Sequence, residues 1–291
     1  MKVSRFDMFG KKFFVVKDDT TEFLLDGNKG YKVRYLLNDF NLKKALSSVS
    51  KNNNTIVSFG SNQSNAMASL SRFCYIKGID FIYITDHSPK NITKDSNLDL
   101  AIKYGANIIH SSPQDYSTLA KEIADKNGYL LINEGVCEEF AQYGFKDLAT
   151  KITNHFKSSD EFDVFLPSGT GTSAIYLQKY LKTMQVFTTP CFKDEDFLKD
   201  MIKTLDPSSK LLILNPPKKY VFGKLYKELY DIIMFINKVS LMDFELIYDS
   251  VGFMAILNNL NLLKENIIYI HQGGKVGHKS QLLRYENKYK G

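Results

Sequence analysis

Short, nearly uninterrupted apolar runs recur along this chain, each closed by a glycine or polar turn and followed by a stretch with helical spacing; no other feature restricts the fold as strongly. Residues 55–59 (Thr-Ile-Val-Ser-Phe) predict a strand and 66–77 the helix after it. Residues 81–85 predict a second strand, 98–104 a helix stopped at Gly105, 107–110 a strand, 116–126 a helix and 129–132 a strand. The pattern then repeats: a long helix over 138–155, a strand over 162–166, and a helix from Ser173. Strands at 185–188, 210–214, 244–247 and 267–270 complete the second set. A strand that is apolar throughout has to be covered on both faces, which is the condition of parallel sheets flanked by helices. Two such sets, near 55–132 and 162–270, predict an α/β protein built as two open parallel-sheet domains. The expected division is a large domain of residues 1–40 with 150–291 and a small α/β domain of 41–149.

At 291 residues the chain is long enough for two joined cores, and 44% hydrophobic with 24% charged residues is a globular balance. No apolar run reaches the roughly 18 residues of a membrane helix, and residues 1–6 lack an apolar stretch followed by a cleavage site, so a cytoplasmic protein is expected. Cys74, Cys137 and Cys191 are far apart with no Cys-x-x-Cys pair, which argues against zinc and against a disulfide framework. The net charge of +6 raises the question of nucleic acid. Its lysines are scattered among acidic residues, dense only at 216–219 and 284–290, so a solvated basic surface is expected and no nucleic-acid or membrane partner.

Ligands of such sheets gather at the carboxyl ends of strands, and three segments there carry more special residues than packing needs. Around Asp26-Gly27-Asn28-Lys29-Gly30, two glycines bracket a lysine ahead of Val33, Leu36 and Leu37 at helical spacing. At Gly60-Ser61-Asn62-Gln63-Ser64-Asn65, between a strand and a helix, capping accounts for one or two polar residues and leaves the others for binding. At Pro167-Ser168-Gly169-Thr170-Gly171-Thr172-Ser173, small residues at a helix start let N–H groups converge, and hydroxyls add donors, which is a seat for a phosphate. This run is neither the lysine-containing Walker loop nor the Gly-x-Gly-x-x-Gly fingerprint.

In this order the segments resemble the 1-aminocyclopropane-1-carboxylate (ACC) deaminase and D-cysteine desulfhydrase family, whose tryptophan-synthase-β-like architecture is fold type II of the pyridoxal-phosphate enzymes. Val16-Lys17-Asp18-Asp19 resembles an early Lys-Arg-Asp-Asp segment, and Gly27-Asn28-Lys29 with Lys32 and Tyr35 resembles Gly-Asn-Lys-x-x-Lys-x-x-Tyr. Gln63-Ser64-Asn65 is similar to a Gln-Ser-Asn signature, and Asn133-Glu134-Gly135 with Tyr143-Gly144 to a Pro-Glu-Gly…Gly stretch. Ile247-Tyr248-Asp249-Ser250 and His271-Gln272-Gly273-Gly274 are similar to Val-Tyr-(Glu/Thr)-Gly and His-Thr-Gly-Gly. The chain departs from the pattern at Ser250, at Val251 in place of a lysine, and at Gln272.

The resemblance implies pyridoxal 5′-phosphate in a cleft between the two domains, held as a Schiff base by Lys29, which then moves protons once freed. It implies that Asn65 reaches the cofactor's 3′ oxygen and that Ser168, Gly169, Thr170, Gly171 and Thr172 hold its phosphate. Gln63 and Ser64 are then expected to face a small amino-acid substrate, and Tyr248 to act beside its reacting carbon. Asp249 is expected at the ring nitrogen, where a carboxylate keeps that nitrogen protonated; this leans toward the deaminases. The expected activity is conversion of an ACC-like amino acid to ammonia and a 2-oxo acid, with D-cysteine desulfhydrase activity as the alternative and a homodimer as the assembly. Two further readings stay open: a catalytically weak regulatory protein that binds the cofactor, motivated by Val251, and a nucleotide phosphate seated on Ser168 to Ser173.

Overall fold

The computed structural model describes residues 1–17, 28–86, 92–112, 115–273 and 275–289. Asp18, Asp19, Asp26, Gly27 and Gly274 of the motifs lie outside the described residues. The chain divides into two compact units, one of Met1–Thr20 with Phe145–Gly291 and one of Thr21–Gly144. The smaller unit thus starts ahead of residue 41, where the sequence reading began the small domain. The reason is that helix α1 (Asn28–Leu37) packs on α2 (Asp39–Ser47) and on the helix that follows strand β3, described below.

The larger unit opens with an antiparallel hairpin of β1 (Lys2–Met8) and β2 (Lys11–Lys17). Sequence reading missed it. Phe9 and Gly10 join the strands with φ of 54° and 72°, the two positive values of the two-residue turn whose twist suits paired strands. The sheet continues in parallel through β10 (Asn266–Ile270), β7 (Phe162–Ser168), β8 (Gln185–Pro190) and β9 (Leu212–Ile213), in the order β1-β2-β10-β7-β8-β9. One face buries an aromatic core: Phe6 stacks on Phe13 at 4.9 Å and Phe253 on Tyr269 at 4.8 Å, with Phe244 edge-on to both Phe253 and Tyr269. Each such fully buried ring stabilises by roughly 1.5–3 kcal/mol. Helices α9 (Lys227–Ser240), α10 (Asp249–Asn258) and α11 (Lys275–Tyr289) contribute to this core. Helices α7 (Thr172–Tyr180) and α8 (Glu195–Leu205) lie against β8, and α7 also against β7.

Three expectations need correction here. Residues 244–247 are not a strand. The Glu245 side chain folds back and accepts the N–H groups of Ile247, Tyr248 and Asp249, which bends the chain into α10. The expected strand over 210–214 shrinks to Leu212–Ile213, and α6 starts at Ala141 (Ala141–His155) rather than 138.

The smaller unit is a four-stranded, wholly parallel sheet in the order β5-β4-β3-β6: β3 (Thr55–Phe59), β4 (Asp80–Thr85), β5 (Asn107–His110) and β6 (Leu130–Ile132). Every residue of β3 is buried. Ile56 joins the core shared with α1, α2, α3 (Asn65–Lys77) and α4 (Asn97–Lys103), while Val57 and Phe59 join that of α5 (Tyr116–Asn127). The period-two alternation of a strand thus sends its apolar residues to helices on both faces, as the continuous run implied. No helix among the described residues is long and apolar enough to cross a membrane.

Candidate active site

In the smaller unit, β3 is followed directly by Gly60, with φ 140°. A Cβ there would lie 2.8 Å from the Tyr83 hydroxyl and 3.0 Å from Glu134 Oε1, so the absence of a side chain lets both close over the strand end. The polar run beyond it enters α3. Ser64 is the N-cap and its Oγ accepts the Ala66 N–H at 3.2 Å. Asn97, buried at the start of α4, donates through Nδ2 to Gln63 O at 2.7 Å and to Asn65 Oδ1 at 2.9 Å. One buried amide therefore holds Gln63 and Asn65 together. Tyr83 lies beneath, fully buried, its phenol pushed far up by burial, so it is a neutral hydroxyl at any ordinary pH.

Lys29 stands in the first turn of α1, which packs on α3. The helix begins at Asn28, and Lys29 Nζ donates to Asn28 Oδ1 at 3.1 Å. Three residues on, Lys32 is 3% exposed and donates to Gly135 O at 2.6 Å. Burial lowers its pKa to about 8, with a small opposing effect of Cys137. The receiving turn is strained, because buried Val136 has φ 56°, a region that branched side chains rarely adopt.

In the larger unit, β7 runs out at Ser168, whose Oγ accepts the Thr188 hydroxyl at 2.7 Å from the next strand. Thr170 and Thr172 hydroxyls lie 2.9 Å apart. Gly171, with φ 81°, is the N-cap of α7, and no side chain caps that helix. A Cβ on Gly171 would lie 2.3 Å from Leu198 Cδ1. An uncapped helix start, converging small residues and hydroxyls form a donor set with the charge preference of a phosphate seat. Thr189 Oγ1, on β8 beside Pro167, is buried without a hydrogen-bond partner, the kind of atom a ligand satisfies. The Tyr248 ring borders the same loop: a Cβ on Gly169 would be 3.4 Å from its hydroxyl, and Phe222 lies 5.8 Å from the ring.

Asp249 is wholly buried in the first turn of α10. Its Oδ1 accepts the Tyr269 hydroxyl at 2.6 Å and its Oδ2 the Glu245 N–H at 3.0 Å. Glu245 is buried too, and desolvation, then the nearby Asp249 charge, raise its pKa to about 8. The side chain of Val251, where the resemblance expects a lysine, packs instead in an apolar cluster with Cys191 and Leu229. Of the expected site residues, Lys29, Gln63, Ser64 and Asn65 thus belong to the smaller unit, and Ser168 to Thr172, Tyr248 and Asp249 to the larger. Asn97, Tyr83 and Glu245 escaped the sequence reading. For Glu245 a signal was present, a carboxylate alone in an apolar run just ahead of a helix; the other two are set by tertiary contacts.

This architecture, two α/β units with polar turns at strand ends, is fold type II of the pyridoxal-phosphate enzymes, as comparison with solved structures shows. The chain superposes with a TM-score of 0.77 on an ACC deaminase homologue at 18% identity, covering 98% of this chain and 93% of that one. A hydrogen sulfide-producing enzyme from Fusobacterium nucleatum superposes with a TM-score of 0.68 at 13% identity, over 94% of each chain. Within that class, the sequence is 24% identical, over 93% of this chain and 91% of the relative, to a Thermotoga maritima protein named "Putative 1-aminocyclopropane-1-carboxylate deaminase". That relative carries the family name to which the motifs pointed. No family model matches the chain.

Proposed function

We propose that this chain is a pyridoxal-phosphate-dependent deaminase or lyase that converts a small, ACC-like amino acid to ammonia and a 2-oxo acid. The observation that carries the reading is the start of α7: a helix N-terminus without a side-chain cap, opened by a glycine with positive φ and flanked by the hydroxyls of Ser168, Thr170 and Thr172. In a fold type II chain such a seat suits the cofactor's phosphate. When bound, pyridoxal phosphate supplies an electron sink at the amino acid's α-carbon.

The chain's own residues divide the remaining work. Lys29 would hold the cofactor through its amine and, when that amine is free, would carry protons beside it. Asn65, its side chain oriented by Asn97, serves the cofactor's 3′ oxygen. Gln63 and Ser64 serve the substrate, Ser64 from the start of α3 where N–H groups favour a carboxylate. Tyr248 delivers or withdraws a proton at the reacting carbon. Asp249 partners the ring nitrogen; a carboxylate offers about four lone-pair positions, so its two present donors leave capacity for another. The buried, apolar setting of Val251 removes an ammonium from this region, which favours slow turnover as a second reading. The assembly would be a cytoplasmic homodimer.

The test is the visible spectrum of the purified protein with pyridoxal phosphate added, before and after Lys29→Ala. The wild type should turn yellow and the variant should not. Ammonia, sulfide and 2-oxo acid are then measured with ACC, D-cysteine and D-serine; sulfide from D-cysteine without ring opening of ACC would move the assignment to a desulfhydrase. A colourless wild type overturns the cofactor reading.

A further inference from the structure

Asn97 makes two hydrogen bonds from one nitrogen, and together they determine which way a neighbouring amide faces. The residue opens α4 behind the N-cap Ser96 and is 1% exposed. Its Nδ2 donates to Gln63 O at 2.7 Å and to Asn65 Oδ1 at 2.9 Å, which uses both of its hydrogens. A main-chain carbonyl has lone pairs and no hydrogen, so the Asn97 atom facing Gln63 O has to be the nitrogen. The Asn65 atom facing that nitrogen has to be the oxygen, since two NH2 groups 2.9 Å apart would oppose donor to donor. Gln63 O thus sets Asn97, and Asn97 sets Asn65. One main-chain carbonyl fixes the oxygen and nitrogen of two amides.

What Asn65 has left to offer a ligand is its Nδ2, a pure donor. That nitrogen has no acceptor among the described residues. Asn65 is half-buried in the first turn of α3, directly after the N-cap Ser64, where main-chain N–H groups and the helix dipole favour negative charge. Donor and dipole act in the same sense. Both prefer an oxygen that carries negative charge to a hydroxyl that keeps its proton, and a hydrogen bond to a charged oxygen is the stronger kind. An Asn65 turned the other way would present a carbonyl oxygen and favour the protonated form.

We infer that Asn97 is a positioning residue that locks Asn65 as a donor, so that the start of α3 selects a ligand oxygen in its ionised form. The ligand oxygen meant is the cofactor's 3′ oxygen, and this role rests on the placing of Asn65 there under the function proposed above. The contribution of Asn97 is orientation: it touches no ligand itself and acts through the amide of Asn65.

The test has two arms, both on the full-length chain. Without cofactor, side-chain amide exchange is followed by heteronuclear NMR, the signals of Asn65 and Asn97 being identified by their loss in Asn65→Asp and Asn97→Ala. The Asn97 amide protons should exchange at least about tenfold more slowly than those of Asn65. Asn65 protons as slow as those of Asn97 would mean that its nitrogen is the bonded end, which overturns the inference. In the second arm, dissociation constants are measured for pyridoxal phosphate and for 3-deoxypyridoxal 5′-phosphate, which lacks the oxygen. The two aldehydes differ in their own reactivity equally for every variant, so the change in their affinity ratio is the readout. A purely structural loss would lower both affinities alike. Asn65→Asp keeps an oxygen for Asn97 and puts an acceptor where the donor was; it should lower the preference for pyridoxal phosphate about tenfold. Asn97→Ala should lower it several-fold, and no further when Asn65→Ala is already present. An unchanged ratio in Asn65→Asp, or in a folded Asn97→Ala, overturns the inference. Should Asn97→Ala not fold, Asn65→Asp and the exchange rates decide it. A wild type that binds neither compound would defeat the function proposed above and leave the exchange rates to decide the lock on their own.

Discussion

Single residues at the two candidate turns work chiefly by what they leave out or hold back. Gly171 combines a φ of 81° with a Cβ position 2.3 Å from Leu198 Cδ1. Leucine's terminal methyl can move aside, but the backbone conformation still costs a non-glycine residue about 1–2 kcal/mol. Gly171→Ala should therefore lower stability by about that amount in urea titrations. It should weaken inorganic phosphate binding at least several-fold, measured by calorimetry, because the N–H groups of the turn shift. Glu245 works by holding on. Its pKa rises from the ordinary carboxylate value to about 8, first through burial and then through Asp249. The folded chain thus keeps a proton that the unfolded chain releases above pH ~4.3. Stability from this group is complete below that value and is lost as pH rises toward 8. Melting temperatures across pH 5 to 8 should decline in the wild type, and the slope should flatten in Glu245→Gln; an unaltered slope would show that Glu245 is ionised throughout.

Whole elements were legible where burial on both faces leaves a continuous apolar signal, as in 55–59, 81–85 and 267–270. The hairpin was not, because Lys2, Ser4, Arg5 and Asp7 break up the apolar residues of Lys2–Met8, and Phe9-Gly10 is not the Asn-Gly pair that announces such a turn. Residues 244–247 looked like a strand by composition, yet three backbone N–H groups converge on the one carboxylate among them. The polar turns 60–65 and 168–173 could be read because their residue types exceed the needs of capping. Their supports could not, since Asn97 comes from a different helix more than thirty residues away. That link has a measurable consequence. Asn97→Ala removes two hydrogen bonds of roughly 1 kcal/mol each and leaves Gln63 O and Asn65 Oδ1 without this donor. We expect about 2 kcal/mol of destabilisation, with faster amide exchange concentrated at the start of α3; an equal increase throughout the sheet would instead indicate a general loss of packing.

At the scale of the molecule, each compact unit has its own sheet and its own cores, and the candidate residues are distributed between them by chemistry. The larger unit carries the proposed anion seat, Ser168 to Thr172, on a single strand-turn-helix segment. The smaller unit carries the amines, Lys29 and Lys32, on α1. Phosphate recognition should then be independent of the lysine. Inorganic phosphate at tenfold excess over its dissociation constant adds about 1.4 kcal/mol to the stability of whatever it binds. That gain should appear as slowed amide exchange at the β7–α7 turn, equally in the wild type and in Lys29→Ala. The colour with pyridoxal phosphate should vanish in Lys29→Ala while phosphate protection persists. If Lys29→Ala abolished phosphate protection as well, the seat would not be complete in its own unit, and the assignment of the phosphate to the start of α7 would fail.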